Sequence, residues 1–218
     1  PHLAFPPEGT AYVAATSMQL GLPLPFIRPR NCTGCTVGER FVNRDGFHLL
    51  SQCKKGNLRF QVHNKLRDEV AILIRQAGYY CSTEQSELLQ SIDDSTQERT
   101  DITVYGYTPS GPLEIDVSVT DPRTLLQGGA RTTTIHPLEA AMNRELSKTG
   151  QYGERVVQAG GTFIPFVMES YGNLGPAAAA LLDHFIEKAQ ARSSIPLSIM
   201  KSYWTQRLVI AMRCTGMQ

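Results

Sequence analysis

Two acidic residues, Asp101 and Asp116, are the side chains of this sequence best placed to hold a divalent cation together. Residues 101–107 and 113–120 alternate apolar and polar side chains on either side of Thr108-Pro-Ser-Gly-Pro, which predicts a β-hairpin. Alternate residues of a strand share a face, so both carboxylates can converge on one Mg²⁺, with Glu114 as a further oxygen donor. Such a cation would lower the pKa of a bound water and neutralise a scissile phosphate. The alternative is a polar hairpin that exposes its acids.

Three cysteines and a histidine form a second group of ligand-type residues, in the pattern C-x2-C-x12-H-x4-C. Three thiolates and one imidazole have the softness and number that tetrahedral zinc requires, and a site with four protein ligands is structural rather than catalytic. The predicted zinc ligands are Cys32, Cys35, His48 and Cys53. In the alternative these are reduced, buried thiols and an ordinary polar histidine. The two remaining cysteines, Cys81 and Cys214, are predicted to be core thiols.

Charge is distributed unevenly along the chain, although the net charge is +1. Residues 28–67 contain nine basic residues and two acidic ones, whereas residues 83–121 contain nine acids and one base. A basic stretch could hold a phosphate backbone, and an acidic stretch could concentrate divalent cations. The bases expected to contact DNA phosphates without reading the base sequence are Lys54, Lys55, Arg59, Lys65 and Arg67. Opposite charges alternating on a solvated surface are the alternative explanation.

Helices and strands alternate in the predicted order of elements that would position these residues. Apolar periodicity and breaker residues predict helices over 10–20, 57–77, 137–152, 176–192 and 196–213. Strands are predicted over 79–84, 101–107, 113–120 and 162–168. This order predicts an α/β core in which helices pack on a mixed sheet.

Length and composition agree with one substantial domain: the chain has 218 residues, of which 41% are hydrophobic and 19% charged. No stretch approaches the ~20 apolar residues that a membrane helix needs, so no membrane partner is expected. The chain begins at Pro1 without a Met or a leader, which suggests a piece of a longer polypeptide or a processed protein. Five cysteines, two of them in a CxxC, favour metal binding in a reducing compartment over a disulfide framework.

The order of these features resembles the PD-(D/E)xK restriction-like nuclease core. More narrowly, nearly the whole chain resembles the region after the reverse transcriptase in non-LTR retrotransposons that carry a C-terminal restriction-like endonuclease. The segments that carry the resemblance are LGLPLP at 20–25, the cysteine–histidine pattern, VHNKLRDEV at 62–70, TDITV at 100–104, LEIDVSVTDP at 113–122, E-x2-K-x3-Y at 145–152, TFIPFVMESYGNLGPAA at 162–178 and WTQRLVIAM at 204–212.

The resemblance implies a restriction-endonuclease-like core, a mixed sheet flanked by helices, preceded by a small zinc knuckle. It divides the chain into a helical extension (1–27), the zinc knuckle (28–58), the nuclease core (59–190) and a C-terminal helix packed on the core (191–218). Asp101 stands at the Asp of the family's PD, and Asp116 stands at the acid of its D/E-x-K. The Lys of that motif is replaced by Ser118, but the family commonly takes its Lys from a downstream helix, where Lys148 lies. Lys148 would orient the attacking water or stabilise charge on the phosphate.

Further matches and departures concern the surroundings of these residues. His63 matches the His of the family's R-H-N and would contact a phosphate or the zinc knuckle, with helix surface as the alternative. Glu84, at the end of its strand, would join the metal ligands or cap the following loop. Thr100 replaces the Pro of PD, and Gln151 stands where many relatives have a second Lys.

The function that the resemblance implies is a DNA endonuclease that nicks target DNA, so that a reverse transcriptase in the same polypeptide can prime from the exposed 3′-hydroxyl. Its cofactors would be structural Zn²⁺ and catalytic Mg²⁺ or Mn²⁺, its partner duplex DNA with RNA as a further candidate, and its location the nucleus. Two alternatives stay open. One is a non-catalytic, zinc-containing nucleic-acid-binding module with a degenerate nuclease core, and the other is a junction resolvase that acts as a symmetric dimer.

Overall fold

The computed structural model describes residues 17, 22–23, 28–31, 41–42, 44, 58–84, 99–122 and 137–214. Two short strands near the N-terminus, β1 (Arg30–Asn31) and β2 (Phe41–Val42), pair antiparallel. Apart from the helical residue Ser17, the helix predicted over 10–20 lies outside the described residues. The four predicted zinc ligands lie outside them as well.

The rest of the described chain alternates between helices and strands. In chain order these are α1 (Leu58–Gln76), β3 (Tyr80–Thr83), β4 (Ile102–Thr108), β5 (Gly111–Thr120), α2 (Glu139–Lys148), a π-helical segment (Thr149–Gly153), α3 (Glu154–Gln158), β6 (Thr162–Glu169), α4 (Pro176–Gln190) and α5 (Leu197–Cys214). The predicted α/β class, with helices on a mixed sheet, is confirmed. The helix predicted over 137–152 differs, because it passes through the π-helical segment and continues to Gln158.

The main sheet has the strand order β3-β4-β5-β6. Strands β3, β4 and β5 pair antiparallel, so the predicted hairpin is formed by β4 and β5, whereas β5 and β6 pair parallel. A parallel pair needs a long crossover connection, and here that connection contains α2, the π-helical segment and α3. Pro165 lies in β6, where it is tolerated because β6 is at the edge of the sheet.

One face of the sheet carries the main hydrophobic core. The alternating residues Leu113, Ile115 and Val117 of β5 are buried on this face. The same core contains Leu66 of α1, Phe185 of α4 and Trp204 of α5, so these helices cover the apolar side of the sheet. None of the helices that the structure describes combines the length and apolar character needed to cross a membrane.

The opposite face of β5 carries a buried polar stripe, which consists of Glu114, Asp116 and Ser118. Helix α2 packs against β5 and β6, and Tyr152 of the π-helical segment packs with Phe163 of β6. Buried polar groups are normally hydrogen-bonded or ion-paired. The partners of this stripe therefore define the candidate site.

Candidate active site

The register of the β4–β5 hairpin brings Asp101 and Asp116 next to each other. Ile102 pairs with Ile115, and the backbone N–H of Asp101 donates to the carbonyl of Ile115 at 3.0 Å. One step beyond that pair, Asp101 opposes Asp116, and opposed residues of antiparallel strands project from the same face. The Asp101 carboxylate is close enough to raise the pKa of Asp116, although burial of Asp116 is the larger cause of that rise. The predicted convergence of the two acids thus has its basis in the pairing of the strands.

Asp101 is held from two sides. One carboxylate oxygen, Oδ1, lies 3.0 Å from Nε2 of His63 on α1, and the other, Oδ2, accepts the backbone N–H of Val117 at 2.6 Å. A carboxylate oxygen has two lone pairs, so each oxygen keeps the capacity for a further ligand. His63 therefore orients an acid of the site, a role that the sequence did not indicate.

Asp116 forms an ion pair with Lys148, the last residue of α2. The Lys148 Nζ lies 3.0 Å from Oδ1 and 2.9 Å from Oδ2, and the two side chains are only 12% and 6% exposed. Burial and the Asp101 carboxylate raise the pKa of Asp116, whereas Lys148 and His63 oppose that rise. The structure thus brings together Asp101, Asp116 and Lys148, the three residues predicted to act in catalysis.

The backbone around Lys148 departs from the α-helix directly after it, since residues Thr149–Gly153 form a π-helical turn. Such turns are uncommon and occur often at functional sites. Here the turn contains Tyr152, which is buried and whose ring centroid lies 5.2 Å from the Lys148 ammonium. A cation over an aromatic ring is attracted to it, so Tyr152 supports the position of Lys148.

Glu114 is fully buried on the same face as Asp116, but its described contacts are to hydroxyl groups. Its Oε2 accepts a hydrogen bond from Thr103 at 2.9 Å and another from Thr100. Burial raises the pKa of Glu114, and the two hydroxyl groups oppose that rise. Its other oxygen, Oε1, is buried and accepts no hydrogen bond from any described residue. Glu114 therefore lies beside the pair with one oxygen unused.

Glu84 and Arg67 are partners of each other. The Arg67 guanidinium donates to Glu84 and, at 3.0 and 2.8 Å, to Asp68, while the Arg67 side chain is only 10% exposed. Glu84 adopts a left-handed backbone conformation and its N–H donates to the carbonyl of Asp101 at 3.0 Å. The structure thus places Glu84 beside Asp101 along the backbone, with its carboxylate directed to an arginine.

The other predicted DNA-contacting residues are only partly described. Lys65 on α1 is 51% exposed and pairs with Glu69 at 3.2 Å. Arg59 belongs to the first turn of α1, and Lys54 and Lys55 precede the described part of that helix. Of these four residues, Lys65 is the one whose side chain the structure describes, and it contacts Glu69 rather than Asp101 or Asp116.

Glu145 of α2 has a role that sequence reasoning missed. Helix α4 begins after Gly175, which has no side chain to cap the helix, and the Glu145 carboxylate takes that place. It accepts the N–H of Ala177 at 3.1 and 3.3 Å and the N–H of Ala178 at 3.2 Å. A negative charge on free N–H groups is favourable at a helix N-terminus. Glu145 precedes Lys148 by about one helical turn, so this contact fixes α2, which carries Lys148, against the start of α4.

Gly175 leaves room for this cap, which leads to a stability prediction. A Cβ added at Gly175 would overlap Oε1 of Glu145, although the backbone there (φ −62°) suits alanine. We expect Glu145→Ala and Gly175→Ala each to lower the free energy of unfolding by about 2 kcal/mol. Chemical denaturation of both single variants and the double variant measures the effect. In the Glu145→Ala background, Gly175→Ala should cost nothing more, and additive losses would contradict the cap.

Arg144, one turn before Lys148, also contacts the polar stripe. Its Nε donates to the hydroxyl of Ser118 at 2.9 Å. The sequence signal for this contact is the i, i+4 spacing of Arg144 and Lys148, which places both cations on one helix face.

Chemically, the site combines two neighbouring carboxylates, an ammonium group and an imidazole. Within the described ranges, no three His, Cys, Asp or Glu side chains are grouped so that they could hold a metal ion together. The described core of the site is thus a pair of carboxylates rather than a larger acidic cluster. No family model matches this chain, and no curated protein is similar to it.

Proposed function

We propose that this protein is a metal-dependent DNA endonuclease that cleaves one strand of a duplex. The observation that carries the proposal is the side-by-side placement of Asp101 and Asp116 with Lys148 on the same carboxylate. Two carboxylates with an adjacent cation suit hydrolysis of a phosphodiester, in which negative charge develops at phosphorus-bound oxygens. The retroelement context, a reverse transcriptase in the same polypeptide and nuclear action belong to this proposal through the sequence resemblance.

The donor atoms at the site suit a hard divalent cation. Asp116 Oδ2 is buried with the Lys148 ammonium at 2.9 Å and keeps the capacity for a further ligand, and Asp101 offers a second carboxylate. Mg²⁺ and Mn²⁺ prefer such oxygen ligands, so Asp101 and Asp116 would hold the ion, with Glu114 nearby. When bound, the ion would supply an activated water and positive charge for the phosphate.

The protein's own residues would prepare this site. His63 and the N–H of Val117 fix the Asp101 carboxylate, and Lys148 places a positive charge beside Asp116. Because these contacts exist before a substrate binds, the charges need little reorganisation during the reaction. The basic residues of the N-terminal third would hold the DNA backbone, except Arg67, which is buried against Glu84 and Asp68.

The N-terminal zinc knuckle remains a proposal from the sequence. We expect about one zinc per chain in protein purified without chelator, bound by Cys32, Cys35, His48 and Cys53, because these four residues complete a tetrahedral site. Elemental analysis checks the stoichiometry. Stably folded protein without zinc, or a disulfide between Cys32 and Cys35, would contradict it.

A second candidate function is a non-catalytic nucleic-acid-binding module. It is favoured by the direct Lys148–Asp116 ion pair, which neutralises one carboxylate without any metal. In that case the pair would stabilise the fold, and the protein would bind nucleic acid without cutting it.

Plasmid nicking tests the proposal. Supercoiled DNA should be converted to the open circular form in Mg²⁺ or Mn²⁺ and stay intact in EDTA. Comparison of linear with branched duplexes separates an endonuclease of this kind from a junction resolvase. DNA binding without nicking in every divalent metal would favour the second candidate function.

A further inference from the structure

We propose that Arg144 binds a backbone phosphate of the nucleic acid, next to the Asp116–Lys148 pair. This inference rests on the proposed function, because it names a residue that would contact the substrate at the same site. The supporting observation is that Arg144 and Lys148 lie on one face of α2, which packs over the polar face of β5.

Arg144 and Lys148 lie one helical turn apart and reach two positions of the same strand face. Lys148 contacts Asp116, and Arg144 contacts Ser118, two residues further along β5. Neighbours at i, i+4 of a helix are about 6 Å apart, and alternate residues of a strand are separated by about 7 Å. The guanidinium therefore lies about 7 Å from the carboxylate pair along the same strand face, on the side toward the end of β5.

Lys148 and Arg144 differ in their exposure to solvent and in the donors that remain free to bind a ligand. Lys148 is withdrawn from solvent and lies close to both oxygens of Asp116. Arg144 is exposed, and its only hydrogen bond to a described residue goes to a neutral hydroxyl. Within the described chain, the charge of Arg144 is therefore not compensated by an acid.

The hydrogen bond to Ser118 also orients the guanidinium. Ser118 is 6% exposed and lies in a strand that is paired on both sides, so its hydroxyl is a fixed anchor. Because Nε is used for this anchor, the two terminal nitrogens stay available as a planar fork of donors. Such a fork matches two oxygens of a phosphate.

Before a divalent ion is bound, the charge of the site favours a further cation. When both are ionised, Asp101 and Asp116 carry two negative charges, and Lys148 offsets one of them. A phosphodiester approaching this group would meet a remaining negative charge at short range. Arg144 offsets that charge and at the same time supplies donors for the phosphate.

The test combines cleavage with binding, so that the two proposals can fail separately. For cleavage, Arg144→Ala should lower the nicking rate constant about 10²-fold, the effect of losing one preorganised electrostatic group. Arg144→Lys, which keeps the charge but loses the fork, should recover only part of that loss. Ser118→Ala should have a smaller effect than Arg144→Ala and none in the Arg144→Ala background.

For binding, the affinity for a duplex is measured without added Mg²⁺ or Mn²⁺ and without chelator, over a range of salt concentrations. Arg144→Ala should weaken binding to all sequences alike and reduce the slope of log K against log salt by about 0.9, the value for one phosphate. Arg192→Ala, an exposed arginine at the end of α4, is the matched control and should change neither quantity. Thermal melting confirms that each variant is folded.

The results distinguish failure of the endonuclease proposal from failure of the proposed role of Arg144. A wild-type protein that never nicks, together with a reduced salt slope in Arg144→Ala, overturns the endonuclease but supports phosphate binding by Arg144. A wild-type protein that nicks, with an unchanged rate and slope in Arg144→Ala, overturns the role of Arg144 alone. In that case the arginine only anchors α2 to β5 through Ser118.

Discussion

Asp101→Asn and Asp116→Asn are each expected to abolish metal-dependent nicking, a loss of at least three orders of magnitude on the scale of essential catalytic groups. Asparagine keeps the shape of the side chain but removes the negative charge that would hold the divalent ion. At Asp101 the amide oxygen can still accept the N–H of Val117, so the contact between the strands survives. At Asp116 the change leaves Lys148 without its partner, but a long lysine side chain can turn toward solvent. We therefore expect folded proteins that bind DNA and do not cut it.

Asp183→Asn is the matched control for these variants. Asp183 also pairs with a lysine, Lys201, at 2.8 Å, but this pair joins α4 and α5 on the surface and is 54% and 39% exposed at Asp183 and Lys201. Nicking by Asp183→Asn should equal that of the wild type, measured on the same plasmid with enzyme purified in the same way. Retention of wild-type nicking in Asp101→Asn or Asp116→Asn would place the catalytic centre elsewhere.

Lys148→Met is expected to affect both catalysis and stability. Loss of its charge should lower the nicking rate about 10²- to 10³-fold. It also leaves the short Asp116 side chain buried in the middle of the sheet without a counter-ion, because a strand residue of this size cannot reach solvent. Breaking a buried ion pair in this way costs roughly 3 kcal/mol of the free energy of unfolding. Chemical denaturation without added Mg²⁺ or Mn²⁺ and without chelator measures the cost, and single-turnover nicking measures the rate.

The double variant Asp116→Asn/Lys148→Met separates the two effects. Removal of both charges should recover most of the lost stability and none of the nicking. Lys201→Met, from the exposed pair, should change stability little because solvent screens that pair. If Lys148→Met were as stable as the wild type, Asp116 would not depend on Lys148 for its burial.

The sequence by itself determined the elements of the core. Strand periodicity in 113–120 and the breakers around Pro109 predict the β4–β5 hairpin, and the apolar spacing of Val62, Leu66 and Val70 predicts α1. These features depend on residues close together in the chain, where the periods of helix and strand act directly on the pattern of burial. The exact pairing of Asp101 with Asp116 does not belong here, because the register shifts between Val104 and Thr108. The register at the turn, Thr108 with Gly111, would place Asp101 opposite Ser118.

The tertiary structure decided the partner of each polar side chain. Whether Glu84 meets a metal or Arg67, and whether Arg67 faces DNA or packs against two carboxylates, depends on how α1 lies beside the end of β3. The capping of α4 by Glu145 joins residues more than thirty positions apart and leaves no local signal except a helix start without a capping side chain. The cap by Glu145 requires that α2 cover the polar face of the sheet.

The contacts of the candidate site also depend on how elements distant in the chain pack together. Sequence resemblance singled out Lys148, but only the parallel pairing of β6 with β5 and the crossover through α2 place its ammonium on Asp116. Arg144 becomes a candidate only through its contact with Ser118, since an arginine on an amphipathic helix is by default a solvated side chain. Local chain geometry thus determines which residues share a strand or a helix face. The packing of one element on another determines which charges are buried together, because the free energy of a buried charge depends on neighbours that are distant in sequence.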